Sequence, residues 1–169
     1  MSFAASLEKG LVGESRIAQW FVSRGNHVLP VYETEQEFKG PRIFSPTGEL
    51  VATDMFVFNQ NKAFWIEAKN KSAFSWHRLT KRWTTGIDIH HYEDYLTVRE
   101  QSGLPTYLMF LQNKGVAKDS PAGCPTGLYG GELGYLCGNE NHRHMNWGKH
   151  GMVYWASDVL RKYAELSEL

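Results

Sequence analysis

Apolar residues recur at three- and four-residue steps across residues 6–24, SLEKGLVGESRIAQWFVSR, placing Leu7, Leu11, Ala18, Phe21 and Val22 on one face. That period predicts an amphipathic helix, and Gly25 supplies its C-terminal stop. The pattern then shortens to strand-like runs. HVLPVYE (27–33) reads as a strand in which Pro30 suits an edge or a bulge. Residues 34–49, polar and carrying Gly40, Pro41, Pro46 and Gly48, read as a long loop or an irregular hairpin. LVATDMFVF (50–58) and AFWIEAKN (63–70) predict two strands joined by a short polar turn. HHYEDYLTVREQSG (90–103) predicts a helix ended by Gly103, and TYLMFLQ (106–112) an apolar strand in the middle of a sheet. Residues 113–151 are rich in glycine and give no clear period. MVYWASDVLRKYAELSEL predicts a strand, whose MVYWASDVL portion is core, and then a helix capped by Ser157. The predicted order is α-β-(loop)-β-β-α-β, an irregular stretch, then β-α, with no internal repeat.

A chain of 169 residues with 42% apolar positions is expected to form one globular domain, with a core over about 6–112 and an extension over about 113–169. The formal net charge is zero, so any polyanion site must be a local patch. No apolar run approaches the ~20 residues that span a bilayer, and the N-terminal MSFAASLEKG lacks a signal-peptide profile. Cys124 and Cys137 make no disulfide framework. The expectation is a cytoplasmic protein with free thiols and no membrane partner.

Against that background the 50–70 pair of strands carries charges where burial is expected. A turn centred on Gln60–Asn61 sets Asp54 directly opposite Glu67. Opposed side chains have Cβ atoms about 4.5–5.5 Å apart, so the two carboxylates repel unless a positive charge joins them. Lys69 shares Glu67's face of the strand. Glu14 falls between Leu11 and Ala18, on the apolar stripe of the first helix, and packing that helix on the sheet aims it at the same patch. Three carboxylates around one point suit Mg²⁺ or Mn²⁺ rather than zinc. Such an ion polarises a phosphoryl oxygen and acidifies a bound water. Lys69 can orient or deprotonate the attacking water, or steady developing negative charge.

Asp54, a twelve-residue gap, then Glu67-Ala68-Lys69 resembles the PD-(D/E)xK nuclease superfamily, with Thr53 standing where the family name has proline. The leading GESRIAQWFVSRG resembles the first helix of its resolvase- and repair-type members. The resemblance covers roughly residues 8–112 and implies a restriction-endonuclease-like α/β fold: an α-β-β-β-α-β core, with a mixed sheet flanked by helices and an irregular C-terminal extension. It implies that Glu14, Asp54, Glu67 and the Ala68 carbonyl bind the metal and that Lys69 is catalytic. The spacing of His91 and Tyr95 resembles the Gln-xxx-Tyr motif of RecB-like members, with histidine replacing glutamine.

SWHRLTKRW (75–83) interleaves His77, Arg78, Lys81 and Arg82 with Trp76 and Trp83, a composition suited to a nucleic-acid backbone and to stacked bases; Lys71 stands just before it. Cys124, Cys137, His142 and His144 have a spacing foreign to zinc knuckles and read as free thiols and surface histidines. Together these features point to a Mg²⁺-dependent deoxyribonuclease, endo- or exonucleolytic, with DNA as partner and a role in DNA repair or recombination. Two alternatives are a nuclease-fold module that binds nucleic acid or a partner without cutting, and a structural salt-bridge cluster. Zero net charge leaves open a homodimer that combines two patches.

Overall fold

The computed structural model describes residues 3–31, 42–116 and 120–169, with side chains from residue 11 onward. Leu7's side chain, Tyr32 and Glu33 of the first predicted strand, and Gly40 and Pro41 lie outside the described residues. The chain runs through helix α1 (Phe3–Val22), strands β1 (His27–Pro30), β2 (Arg42–Ser45), β3 (Gly48–Val51), β4 (Met55–Phe58), β5 (Ala63–Lys71), β6 (Ser75–His77) and β7 (Arg82–Asp88), then helix α2 (Ile89–Ser102). Strands β8 (Thr106–Gln112) and β9 (Gly127–Glu132) follow, then α3 (Leu133–Cys137), β10 (His142–His144), β11 (Met152–Ala156) and β12 (Arg161–Ala164). A final 3₁₀ turn covers Leu166–Glu168.

Among the described residues, six strands form a mixed sheet in the order β1-β4-β5-β8-β9-β12. Only the β5–β8 pairing is parallel, as expected for strands joined through a helical crossover by α2. TYLMFLQ is central, as its continuous apolar run predicts. A second sheet has the order β10-β11-β7-β6, and β2–β3 is a separate hairpin.

Alternation along β5 and β8 divides the core into two layers. Ile66, Ala68, Met109 and Leu111 face α1, packing with Ile17, Trp20 and Phe21. Leu108 and Phe110 face the other way, onto Tyr92 and Tyr95 of α2, Leu133 and Leu136 of α3, and Ile87, Val153 and Trp155 of the second sheet.

Three sequence expectations are corrected here. The buried stripe of α1 is Gly13, Ile17, Trp20 and Phe21, whereas Leu11 and Val22 are more than half exposed. Gly13 sets this rotation, since a Cβ there would lie 2.4 Å from the Asn70 Cβ, so only glycine lets the helix come so close to β5. The predicted strand 50–58 is broken: β3 ends at Val51 and β4 begins at Met55, with Ala52 and Thr53 buried between them. The predicted C-terminal helix is instead β12, which pairs with the glycine-rich β9. Gly130 is needed there because a side chain would strike the Leu108 carbonyl oxygen 2.6 Å away.

The residues after 112 add β9 and β12 to the first sheet and β10 and β11 to the second. Each outer strand is short or irregular: β1 ends in Pro30, β6 and β10 have three residues each, and β12 carries Arg161 and Lys162 and slips register between Lys162 and Ala164. No helix among the described residues is long and apolar enough to cross a membrane. Cys124 and Cys137 are free thiols.

Candidate active site

The site begins with a turn. Asn59 folds its side-chain oxygen back onto the main-chain N–H groups of Asn61 (2.9 Å) and Lys62 (3.2 Å), and its own N–H donates to the Lys62 carbonyl. This Asx-type turn fixes the β4–β5 register, pairing Phe58 with Ala63 and Met55 with Ile66. One step further along the same register lie Asp54 and Glu67. Asp54 stands just outside β4, and its Oδ2 accepts the Ala68 N–H at 2.7 Å, a side chain taking the place of the missing main-chain partner.

Glu67 is 1% exposed, which is costly for a carboxylate without partners. Its Oε1 accepts the Tyr95 hydroxyl at 2.6 Å and the ammonium of Lys69. Its Oε2 is buried and has no hydrogen-bond partner. Lys69 is the nearest cation and keeps 29% of its side chain in solvent. Burial alone lowers the Lys69 pKa, but the charge of Glu67 and then that of Asp54 outweigh this and raise it, so the side chain stays charged. Burial above all, then Glu67 and Glu14, holds the Asp54 carboxyl well above the carboxylate range, against the pull of Lys69 and the Ala68 N–H. Tyr95 is likewise pushed up, by burial and then by Glu67, so it remains a neutral donor. His91 lies parallel to Tyr95 at 6.2 Å, and burial, His90 and Lys69 lower its pKa.

Glu14 is half-buried beside Gly13, on the helix that covers the opposite face of β5, and its charge acts on both Asp54 and Lys69. Among the described residues, no three His, Cys, Asp or Glu side chains stand close enough together to hold a metal ion. Asp54 and Glu67 nonetheless fit Mg²⁺ by chemistry. Both offer hard oxygen, one oxygen is a buried orphan, and Mg²⁺ is commonly held by one or two carboxylates with water filling its shell.

Because its folded-state pKa is raised, Asp54 contributes stability in full below its ordinary value of 3.8, and the contribution is lost as pH rises through the raised value. Asp54→Asn is therefore expected to flatten the acid-to-neutral fall in melting temperature of the metal-free protein and to raise it at neutral pH. Lys69 leaves this window unaffected, since its contribution falls away only above its ordinary 10.5. Calorimetry in chelator checks the pair of profiles; parallel profiles would exclude a repelled Asp54.

The basic stretch forms the β6–β7 hairpin, with Arg78 and Lys81 in the turn and Leu79 89% exposed at its tip. Its tip and the first turn of α2 lie at opposite ends of β7, about 20 Å apart at strand rise. Trp76 packs edge-on against Trp83, His77 bonds Thr80 and stacks on His142 at 3.8 Å, and Arg82 is paired with Asp158. Arg82 is thus held in an exposed ion pair. Lys71 ends β5 on the face shared by Glu67 and Lys69.

Two features were invisible in the sequence. Gln112 ends β8 beside Lys71, fully buried with both amide atoms unpartnered. His150 arrives from the far end of the chain to pack on His90 at 4.7 Å, and His90 in turn packs on His91 at 3.9 Å. Neither follows from local pattern, because parallel strand pairing and the β10–β11 turn create both.

No family model matches the sequence, and no curated protein matches it. Among solved structures the chain is similar to Archaeoglobus fulgidus Hjc, a Holliday junction resolvase from an archaeal hyperthermophile. The TM-score is 0.51 at 12% identity, over 89% of this chain and 90% of that one. The fold is restriction-endonuclease-like. In this fold the α-β-β-β-α-β series corresponds to α1, β1, β4, β5, α2 and β8, with β2–β3 and β6–β7 inserted.

Proposed function

We propose that the chain is a metal-dependent nuclease of the PD-(D/E)xK type that hydrolyses DNA phosphodiester bonds, with branched DNA first among the substrates to test. The observation that carries this reading is the buried Glu67 carboxylate, with one orphan oxygen, opposed to Asp54 and touched by Lys69. The resolvase likeness in fold supports it and brings in the branched substrate. Mg²⁺ or Mn²⁺, held by Asp54 and Glu67 with the Ala68 carbonyl and with the charge of Glu14 acting on the site from α1, would supply a polarised phosphoryl oxygen and an acidified water. Tyr95 holds the rotamer of Glu67. Lys69 orients the attacking water and offsets negative charge on the phosphorane oxygens. The β6–β7 hairpin, through Arg78, Lys81, Trp76 and His77, follows the strand backbone.

Cleavage of supercoiled, linear and four-way-branched DNA with Mg²⁺, Mn²⁺ or chelator tests the reading. Cut product that needs the metal is expected. Binding without any cleavage under either ion would favour a non-catalytic nuclease-fold module, for which the Glu67–Lys69 pair supplies a static ion pair.

Glu14→Gln keeps shape and removes one charge. It is expected to weaken apparent Mg²⁺ affinity several-fold, with partial recovery in Mn²⁺, and to leave the apo protein at least as stable. Metal titrations of the cleavage rate check this; unchanged dependence would remove Glu14 from the site.

For the hairpin, Arg78→Gln with Lys81→Gln is expected to weaken binding of catalytically blocked protein to duplex DNA. Each lost phosphate contact should reduce the log–log salt slope by about 0.9. An identical slope in the double variant would make the hairpin a solvated surface.

A further inference from the structure

On the α1 side of the six-stranded sheet, opposite Glu67 and Lys69, lies a cavity of about 380 Å³. That volume is in the range of small-molecule sites. Its walls are rings: Trp20 from α1, Phe64 from β5, Tyr107 from β8 and Tyr163 from β12. Edge-to-face contacts hold them, Trp20 against Tyr163 at 5.8 Å and Phe64 against Tyr107 at 5.5 Å. The rings lie on separate elements, so the slot between them belongs to the tertiary fold.

Among the described residues, three cations rim the cavity and no carboxylate lines it. Arg24 lies over Trp20 at 4.1 Å, Lys62 over Phe64 at 5.5 Å and Arg161 over Tyr163 at 5.1 Å. A guanidinium held over a ring still has N–H groups to offer an anion. Glu168 stands 4.0 Å from Arg24, with both side chains exposed and the pair correspondingly weak. One wall group also lacks a partner. Trp20 is 7% exposed, and its Nε1–H is buried without an acceptor, although a buried indole N–H normally finds one.

A ligand matching this cavity has a flat aromatic ring for the aromatic walls and an anionic group that remains at the rim. We propose that the cavity binds a nucleotide, base inward and phosphate against Arg24, Lys62 and Arg161. The proposal does not depend on the catalytic reading, because the cavity is on the other face of the sheet. Free nucleotide and a nucleotide within a strand share this chemistry, and the test separates them.

The protein, labelled with 5-fluorotryptophan, is titrated in chelator with dAMP, adenosine, inorganic phosphate and a short single-stranded DNA. The ¹⁹F signal of Trp20 is assigned by Trp20→Phe, and calorimetry on the unlabelled wild type gives the same constants should that variant fold poorly. A saturable shift of the Trp20 signal with dAMP is expected, with adenosine and phosphate at least about tenfold weaker. Lys62→Gln with Arg161→Gln, both exposed positions, should weaken dAMP by about tenfold or more without unfolding the chain. A shift with the strand alone would make the strand the nucleotide's source. No saturable shift with any of the four, equal affinity for adenosine, or wild-type dAMP affinity in the double variant would each overturn the proposal.

Discussion

Glu67→Gln is expected to lower metal-dependent DNA cleavage by about 10³-fold or more, the scale on which a group acting on transition-state charge contributes. The substitution also removes the counter-charge of Lys69. Glutamine with its oxygen at the Oε1 position can still accept from both the Tyr95 hydroxyl and the Lys69 ammonium, but it carries no charge, and its amide nitrogen takes the unpartnered Oε2 position. Breaking a fully buried pair costs about 3–5 kcal/mol; with 29% of the Lys69 side chain in solvent, about 2–3 kcal/mol is expected here. Asp54→Asn should abolish cleavage equally and yet stabilise the metal-free protein. The two opposed carboxylates looked alike in sequence, each relieving the other's repulsion when removed. The lysine contact distinguishes them. Cleavage rates together with melting temperatures in chelator give the test. Loss of stability in both variants with cleavage retained would make the cluster structural.

Trp155→Ala is expected to cost about 3–5 kcal/mol, the range for a buried large aromatic. Trp155 is fully buried on β11, packs on Tyr92 at 5.3 Å and Phe110 at 6.3 Å, and donates to the Leu136 carbonyl at 2.9 Å. Truncation leaves a cavity between α2 and the first sheet and strands that carbonyl without its donor. At about 2–4 °C per kcal/mol for a chain of this size, melting should fall by about 10 °C. The drop should appear as one cooperative transition, since β9 to β12 complete both sheets. A separate early transition, with residues 6–112 melting as before, would mean that the C-terminal third is an appendage.

The parts of the fold that were legible are those governed by a local period. The β4–β5 register followed from alternation and a polar turn, and α2 from its helical pattern and Gly103, whose φ of 66° closes the helix. Asp54, Glu67 and Lys69 were found because charge on an apolar strand conflicts with burial. Tyr95 was singled out only through the resemblance to the RecB-like motif, and its hydroxyl reaches Glu67. Illegible parts depend on distant partners. The α1 stripe was misread because Leu11 and Val22 look like core, while Gly13 has no hydrophobicity to signal a close approach. Strand β12 looked helical because its pairing partner is β9, whose Gly130 and Gly131 carry no strand signal of their own. The pairing of Arg82 with Asp158 was hidden because the two are 76 residues apart in sequence.

The ragged outer strands bear on self-association. An open strand edge is a template for another chain's edge, and long flat edges seed aggregation. Here one end of the main sheet stops at Pro30, which has no N–H to offer, and the other is bent by a register slip and crowned with Arg161 and Lys162. The outer strands of the second sheet are three residues long and give little to pair with. Growth by joining sheets is thereby discouraged at the outer edges of the two larger sheets. A second copy of the chain would have to meet the first through faces, helices or loops, and concentrated solutions should resist the strand-to-strand stacking that leads to fibres.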